Sequence, residues 1–439
     1  MRLLAAAFLL LPFFCVRDAG AESIRLISDE ETEQFLSRII EPLFKAANIK
    51  FNRYNVFIVE DNSLNAFVAD GNRLFVHTGT LIRADNANEL AGVIAHETGH
   101  IMGGHILRQK LKLQDMRQVS LVSAVLAGAS AALSGRGDVA MAVMLGSQSS
   151  ALNHYTGYRT SEERSADEAA LTLLSATQQS PAGILRFMKK ISQDNMLNGR
   201  EEMPYFRTHP VTTERIAFFE KAVSQTSYPE ASPYDEEFLR VKAKLKAYLQ
   251  PPEQTLREYP ASRNDTPAQY ARVIVFLKQL KFAAALQILD TLTRKEPGNP
   301  FFYELKGQVL LETGKIKEAK ESFAKALELL PHSHLMQINY AQAVLEDNPT
   351  SAEAKEAAAI LNKALRQAPS GFAWMLLAKA YGIAGDMAAA NYASAEYSLR
   401  IGALPTAKKQ LEQALKYPAS AQIRLKIDDL KQRIKFLEK

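Results

Sequence analysis

The sequence predicts a mainly α-helical protein of the α+β class, in which a domain with a small β-hairpin or sheet precedes an all-α solenoid of repeats. Three observations predict this arrangement. A helical apolar periodicity surrounds two histidines in the first half, an alternating apolar pattern lies just upstream of them, and a 34-residue period runs through the second half. The 439 residues suffice for two or three domains with buried cores.

Residues 1–21 have the features of a secretory signal peptide. Arg2 precedes a long apolar run, and Ala19-Gly20-Ala21 fits an A-x-A cleavage site. The apolar run is short for a membrane anchor, which is the weaker interpretation. Cys15, the only cysteine, would be removed with the peptide. The mature chain would then contain no thiol, which suits the periplasm and leaves histidines and carboxylates as metal ligands.

The first domain is expected at residues 22–250. A helix is predicted from Glu30 to Ala47 and a strand from Val56 to Glu60. The net charge of +5 is spread along the chain, so no nucleic-acid partner is expected.

A β-hairpin is predicted just before the histidines, with Asp70-Gly71 as its turn and Arg73 to His77 as its second strand. Its first strand contains Asn65, Ala66 and Phe67. An exposed edge strand beside a metal site can pair with an extended peptide, so these three residues are candidates for substrate binding. An ordinary structural hairpin is the alternative.

The stretch His96-Glu97-Thr98-Gly99-His100 carries the clearest chemical signal. On a helix, His96 and His100 project from one face, where two imidazoles can bind one Zn²⁺ ion. Glu97 points away from these ligands and can act as general base toward a water molecule. The alternative is a surface helix with two unrelated histidines.

The residues around this motif predict its helix. Asn86 and Glu89 resemble a capping box, and Gly99 indicates close backbone packing. Gly103-Gly104 ends or bends the helix. If the helix continued, His105 would lie roughly opposite His96, so we interpret it as a polar residue near the site rather than a ligand.

A third ligand is expected from the helix that follows residue 160. Glu163 and Asp167 share one stripe of that helix with apolar residues, and buried carboxylates need partners. A zinc ion could receive Glu163 while Asp167 accepts a hydrogen bond from a ligand imidazole. Glu162 lies at the edge of the same stripe. A solvated acidic helix start is the alternative.

Residues 120–145 are rich in alanine and valine, but neither apolar half is long enough to cross a bilayer. A buried helical pair is predicted. A flap over the active site or a contact with the membrane surface is the minor alternative.

Together, several motifs resemble those of the CAAX prenyl protease-like zinc metallopeptidases, the family that contains HtpX. The resemblance covers about residues 27–224 and is carried by HETGH, the Glu163-x-x-x-Asp167 spacing, Asn65-Ala66-Phe67, and Thr208-His209-Pro210 followed by Arg215.

The resemblance implies a gluzincin-type site, with one zinc ion per chain bound by His96, His100 and Glu163, and with Glu97 as base. It also implies that His209 reaches the metal from a loop in a resting state. The residues themselves leave His209 open as a ligand, an oxyanion stabiliser or a solvent-facing side chain. Arg215 is either an electrostatic stabiliser of the tetrahedral intermediate or an ion-pair partner.

Residues 251–267 are proline-rich and polar, which predicts a linker between domains. Beyond it, in residues 268–439, two units match the offsets of a tetratricopeptide repeat. The matching residues are Gly307, Ala319, Phe323, Ala326 and Pro331 in one unit, and Trp374, Leu377, Ala378, Tyr381 and Ala390 in a later one. Three to four stacked helix pairs are expected, with generic helical hairpins as the alternative.

These features predict a periplasmic zinc endopeptidase whose repeats bind unfolded or misassembled clients. Resemblance to periplasmic, repeat-bearing members of the family implies quality control of outer-membrane proteins at their assembly machinery, with chaperone activity. The alternative is a non-proteolytic chaperone or scaffold acting through the repeats. Glu97 argues against it, because a structural metal site needs no base. An integral-membrane prenyl protease lacks support, since long apolar spans are missing from the sequence.

Overall fold

The computed structural model describes residues 25–69, 72–105, 108, 159–198 and 209–437. The predictions for residues 1–21, for the Asp70-Gly71 turn, for residues 120–145 and for Thr208 lie outside these ranges. The described chain divides into two compact units, one ending at Leu249 and the other beginning at Gln250. Among the described helices, none has both the length and the apolar character needed to cross a bilayer.

The first unit contains a four-stranded sheet with the order β1-β2-β4-β3. Its strands are β1 (Leu26–Ile27), β2 (Val56–Val59), β3 (Ala66–Ala69) and β4 (Arg73–His77). Strands β3 and β4 form the predicted antiparallel hairpin, with Phe67 opposite Phe75. The hairpin joins the sheet through a parallel pairing of β4 with β2, so β3 is an edge strand among the residues that the structure describes.

The first unit contains a 3₁₀-helix (Arg53–Asn55) and α-helices, of which seven are used below. They are α1 (Glu30–Ala46), α2 (Thr78–Arg83), α3 (Ala87–Met102), α4 (residues 159–176), α5 (Ala182–Asn198), α6 (Thr213–Gln225) and α7 (Asp235–Leu249). The predicted helix from Glu30 is confirmed. It begins where the side chain of Asp29 accepts a hydrogen bond from the backbone N–H of Thr32, which satisfies one of the free donors of the first turn.

Helix α3 packs against the sheet and against neighbouring helices, and its capping differs from the prediction. The side chain of Asn86 accepts a hydrogen bond from Glu89 N, as expected of the N-cap. The carboxylate of Glu89 instead accepts from Asp85 N and from the ammonium of Lys190, so the capping box is not reciprocal. A buried carboxylate gains more from this cation than from a second backbone bond.

The two faces of the sheet differ. Ala66 and Val68 of β3 are buried, and this strand packs on α3. On the other face, the ring of Phe75 stacks between those of Phe57 and Phe67, with 4.9 Å between ring centroids in each of the two pairs. Because side chains alternate along a strand, β3 contacts α3 through one face and the phenylalanine stack through the other. Strand β3 therefore lies next to the helix that carries His96 and His100.

The second unit is all-α. It contains α8 (Pro252–Glu258) and then five pairs of helices, counted over residues 250–437: α9 (Thr266–Lys278) with α10 (Phe282–Lys295), α11 (Pro300–Glu312) with α12 (Ile316–Leu329), α13 (His334–Glu346) with α14 (Ser351–Gln367), α15 (Gly371–Ala384) with α16 (Met387–Arg400), and α17 (Leu404–Ala414) with α18 (Ala421–Leu437).

Packing within a pair follows the repeat signature. A Cβ atom at Gly307 would lie 2.7 Å from the ring of Phe323, so glycine is needed for the two helices to meet at this ring. Ala319 and Ala326 are fully buried on the same helix pair. The later unit packs Trp374 against Tyr392, with ring centroids 5.7 Å apart.

Two predictions for this half need correction. The segment 251–267 contains helix α8, whose Thr255 is fully buried and which packs on α9, so it is more than an extended linker. Pro252 lies in the first turn of α8, a position where proline favours a helix instead of interrupting it. Five helix pairs are present instead of three to four. The first pair has Val273 at the position 34 residues before Gly307, where the repeat signature has glycine.

Candidate metal centre

Four buried side chains meet at one point of the first unit. His96 and His100 lie one turn apart on α3, Glu163 comes from α4, and His209 precedes α6. One donor atom from each lies within 4.8 Å of the others.

The separations between the donor atoms fit a single metal ion. The distance from Nε2 of His96 is 3.2 Å to Nε2 of His100, 3.3 Å to Nδ1 of His209 and 3.3 Å to Oε2 of Glu163. A tetrahedral zinc ion with bonds of about 2.0–2.1 Å holds its ligand atoms about 3.3 Å apart. Three imidazoles and one carboxylate therefore form a donor set that suits zinc in both chemistry and spacing.

Gly99 allows α4 to approach α3 closely enough to deliver Glu163. A Cβ atom at Gly99 would lie 2.7 Å from the carbonyl oxygen of Ala166, which is three residues beyond Glu163 on α4. The sequence indicated close packing at this glycine, and the contacting helix is the one that carries the carboxylate. Any side chain at residue 99 would push the two helices apart at the site.

The outer nitrogen of His96 faces a carboxylate. Nδ1 of His96 lies 2.9 Å from Oδ1 of Asp167, on the side away from the cluster. Arg215 donates to Asp167 through Nε at 2.6 Å and through Nη2 at 2.8 Å. Its Nη1 lies 2.8 Å from Oε2 of Glu163. One guanidinium thus holds both carboxylates, and these contacts span 48 residues or more along the chain.

Arg215 also ties the loop that carries His209 to α4. Its Nη1 donates to the carbonyl oxygen of Pro210 at 2.8 Å. Thr212 is the N-cap of helix α6, and its side chain accepts a hydrogen bond from Arg215 N, so Arg215 lies in the first turn of that helix. The sequence signal for this role was the short spacing from His209 to Arg215, but its partners could not be read from it.

Glu97 lies beside the cluster without belonging to it. The side chain is buried, and its Oε1 is 3.6 Å from Nε2 of His209. Oε1 accepts no hydrogen bond from any residue in the described ranges. Burial raises the pKa of Glu97 above its ordinary value. A buried carboxylate with a free oxygen next to four candidate metal ligands has the properties of a general base.

The protonation states of His100 and Glu163 favour binding of a cation, whereas that of His96 opposes it. Burial lowers the pKa of His100 to about 3, so this imidazole is neutral and offers a lone pair. Burial also lowers the pKa of His96, but hydrogen bonds to Asp167 and Glu163 raise it to about 9. The facing imidazoles, that of His209 foremost, hold the pKa of Glu163 far below its usual range despite burial. A metal ion would displace the proton of His96 and meet an ionised carboxylate.

Two candidates from the sequence lie outside the cluster. Glu162 is buried, and its Oε1 lies 4.0 Å from Nε of Arg108. His105 contacts the outer side of His100, with 2.9 Å between their Nδ1 atoms. The helical projection could not show this contact, since it required α3 to continue past Met102.

Of the predicted substrate-binding residues, Ala66 and Phe67 begin the edge strand β3, and Asn65 immediately precedes it. The carbonyl oxygen of Asn65 accepts a hydrogen bond from His77 N at 3.0 Å, so its backbone faces β4. Because backbone direction alternates in an antiparallel pair, the N–H and C=O groups of Ala66 and Val68 point away from β4. Phe67 is half-buried within the aromatic stack.

A His-Glu-x-x-His helix joined by a glutamate from a second helix around one cation site defines a metallopeptidase. Sequence comparison agrees with this class, because residues 30–223 match the model of peptidase family M48.

Over 418 residues, the chain is 25% identical to the beta-barrel assembly-enhancing protease of Escherichia coli K12, covering 93% of this chain and 82% of that protein. It is 24% identical over 434 residues to the Yersinia pestis protein of the same name, covering 95% and 85%. A tetratricopeptide-repeat structure from Thermus thermophilus covers 44% of this chain and 92% of its own, with 19% identity and a TM-score of 0.26. The repeats are identified by the five helix pairs of the second unit.

Proposed function

We propose that this protein is a zinc endopeptidase of the periplasm that cleaves unfolded or misassembled polypeptides, outer-membrane proteins among them. The observation that carries the proposal is the spacing of the buried donor atoms of His96, His100 and Glu163, with Glu97 beside them. The second unit would bind clients or partners and give the protein chaperone activity, as stacked helix pairs commonly bind polypeptides.

The chemistry is divided between the ion and the chain. When bound, a zinc ion polarises the scissile carbonyl and acidifies water. Glu97 accepts the proton of the attacking water and returns it to the leaving amine nitrogen. Its raised pKa supports this role, because a more basic carboxylate takes up the proton more readily at neutral pH.

His96 and Glu163 are kept in position by their outer partners. Oδ1 of Asp167 lies 2.9 Å from Nδ1 of His96 and would favour a proton on that nitrogen, which leaves the Nε2 lone pair for the metal. Arg215 balances the charge of Asp167 and Glu163, and its three nitrogens are engaged with these groups and with Pro210. These contacts favour the ion-pair role of Arg215 over direct stabilisation of the tetrahedral intermediate.

His209 would act as a latch. Its Nδ1 lies 3.0 Å from Glu163 and 3.3 Å from His96, close enough to complete a four-ligand site. A four-ligand site leaves no position for substrate, whereas catalysis by zinc needs an open one. His209 would therefore leave when a polypeptide enters, and we propose it as the fourth ligand of the resting enzyme.

Substrate would bind as an additional strand along β3. Because Ala66 and Val68 are buried in this structure, their outward backbone groups would pair with an extended chain once the edge of β3 is uncovered. Such pairing requires an unfolded segment, which supports unfolded clients over folded ones. Peptides N-methylated at single amides test this: alternate positions should resist cleavage, and uniform tolerance of methylation would contradict strand pairing.

The client class and the location are supported by separate observations. Relatives named beta-barrel assembly-enhancing protease align with 93% of this chain, including the repeats. Residues 1–21 carry the features of a secretory signal, and removal of Cys15 with them would leave no thiol.

The test compares one outer-membrane β-barrel protein in two states, unfolded in urea-free buffer and assembled in lipid vesicles. The wild-type protein is expected to cleave the unfolded form alone, while Glu97→Gln binds it with equal affinity and cleaves neither. Binding without cleavage by the wild type would favour the scaffold interpretation. Cleavage of both forms at the same rate would contradict selection of unassembled clients.

A further inference from the structure

His105 makes a buried contact with the outer nitrogen of a metal-site histidine. Nδ1 of His105 lies 2.9 Å from Nδ1 of His100, with ring centroids 4.9 Å apart and ring planes at 78°. His105 is only 1% exposed. The other ring nitrogen of His100, Nε2, is the one that faces the four-residue cluster.

The backbone is built to bring His105 back to His100. Helix α3 ends at Met102, Gly103 caps it, and Gly104 takes a left-handed φ of +63°. A Cβ atom at Gly103 would lie 2.1 Å from the ring of His105. Both glycines are therefore needed, one for the conformation of the turn and one to make room for the imidazole.

The hydrogen bond between the two rings fixes where the proton lies. A neutral imidazole has one N–H donor and one acceptor nitrogen, so one Nδ1 donates and the other accepts. If His100 offers the Nε2 lone pair to a metal ion, its hydrogen must be on Nδ1. His105 is then the acceptor through Nδ1 and carries its own hydrogen on Nε2.

We propose that His105 is a positioning residue that holds His100 in the Nδ1–H tautomer and orients its Nε2 toward the metal. This inference rests on the proposed metal site and assigns its second histidine an outer partner. The two histidines of α3 thus differ: Asp167 supports His96 with a charged acceptor, and His105 supports His100 with a neutral one. A neutral acceptor adds no further negative charge to a site that already holds Glu163.

The experiment measures zinc affinity by competition with a chelator in the full-length protein. His105→Leu removes the acceptor, and His105→Asn keeps an amide oxygen near the position of Nδ1. Loss of an outer hydrogen-bond partner typically weakens metal binding by about 10–100-fold. We expect that loss for His105→Leu and an affinity within about threefold of wild type for His105→Asn.

A spectroscopic readout identifies the tautomer directly. Long-range ¹H–¹⁵N correlations of the zinc-bound protein, labelled on histidine, are expected to show His100 protonated at Nδ1 and His105 at Nε2. His105→Gln serves as a second comparison, because its amide reaches the position of Nε2 and cannot replace the acceptor at Nδ1. It should bind zinc more weakly than His105→Asn, and this pair suffices if His105→Leu does not fold.

Equal zinc affinity of wild type, His105→Leu and His105→Gln would overturn the positioning role while leaving the proposed function intact. So would a His100 ring protonated at Nε2 in the zinc-bound protein. Failure of the wild type to bind zinc at all would instead overturn the metal site, and this inference with it.

Discussion

Nε2 of His209 lies 3.6 Å from Oε1 of Glu97, while Nδ1 of the same ring lies 3.0 Å from Oε1 of Glu163. One imidazole therefore stands between the carboxylate proposed as base and the carboxylate proposed as ligand. If water and substrate bind between these two carboxylates as proposed, the ring would have to move before they could enter. With a metal ion bound as proposed, this position of His209 would correspond to the closed resting state.

Removing this imidazole should release activity. His209→Ala is expected to cleave an unfolded protein faster than wild type, by about tenfold if the latch is closed about nine-tenths of the time. Bound zinc should be retained through the other three ligands, as metal analysis can verify. His332→Ala, at an exposed histidine of the second unit, is the control. Slower cleavage by His209→Ala would assign the ring to stabilisation of the oxyanion instead.

The neighbouring carboxylates of α4 should differ in their effect on zinc. Glu163→Gln replaces a charged donor with a neutral amide and should weaken zinc binding by more than about 100-fold, beyond what outer partners contribute. Glu162→Gln is the matched control, since Glu162 is equally buried but lies outside the cluster, and should lose no more than about tenfold. Chelator competition distinguishes them, and the reverse order would move the ligand to Glu162.

Gly99 should tolerate no side chain. Gly99→Ala places a Cβ atom 2.7 Å from Ala166 O and should destabilise the protein by about 1–3 kcal/mol, as overpacking does, with weaker zinc binding as α4 shifts. Gly382→Ala, a helical glycine of α15 with no atom within 4 Å of the added Cβ, should instead stabilise by about 0.5–1 kcal/mol. Urea unfolding measures both, and equal effects would contradict the close approach.

A carboxyl group away from the site should make stability depend on pH. Burial and the nearby Glu30 raise the pKa of Glu33 to about 7. Between pH 4.5, where an unfolded glutamate titrates, and about 7, the folded state binds more protons than the unfolded state. The free energy of unfolding therefore falls as pH rises through this window.

Glu33→Gln removes this penalty while its Oε1 can still accept from Ser28 Oγ and Asp29 N. The variant should melt at a higher temperature than wild type at pH 8, by an amount that reflects about 1 kcal/mol or more. At pH 5, where wild-type Glu33 is protonated in the fold, the two should melt alike. A difference in melting temperature that is the same at both pH values would refute this assignment.

The local features of the fold could be predicted from the sequence, because they depend on periodicity within one element. The helix from Glu30, the hairpin of β3 and β4, and the helix that carries His96 and His100 are of this kind. Strand β1 has two residues, too few for an alternating pattern, and the parallel pairing of β2 with β4 depends on tertiary contacts.

The site could be anticipated only in part for the same reason. The residue types and spacing selected Glu163 and Asp167, but periodicity hardly separated Glu163 from Glu162. The contacts of Arg215 join residues 48 and more positions apart, which no local pattern encodes. His105 was expected near the site, but its contact with His100 could not be predicted, because a helical projection does not include the left-handed turn at Gly104.

The proposed hydrolysis requires both a zinc ion bound at the four-residue cluster and Glu97 as the base. Its most direct test is to measure bound zinc and cleavage of one unfolded protein by purified wild type and Glu97→Gln, side by side. We predict one zinc ion per chain in both proteins and cleavage by the wild type alone. Equal cleavage by the two proteins would contradict this mechanism. It would also be contradicted if the wild type and the His209→Ala variant both bind zinc and neither cleaves.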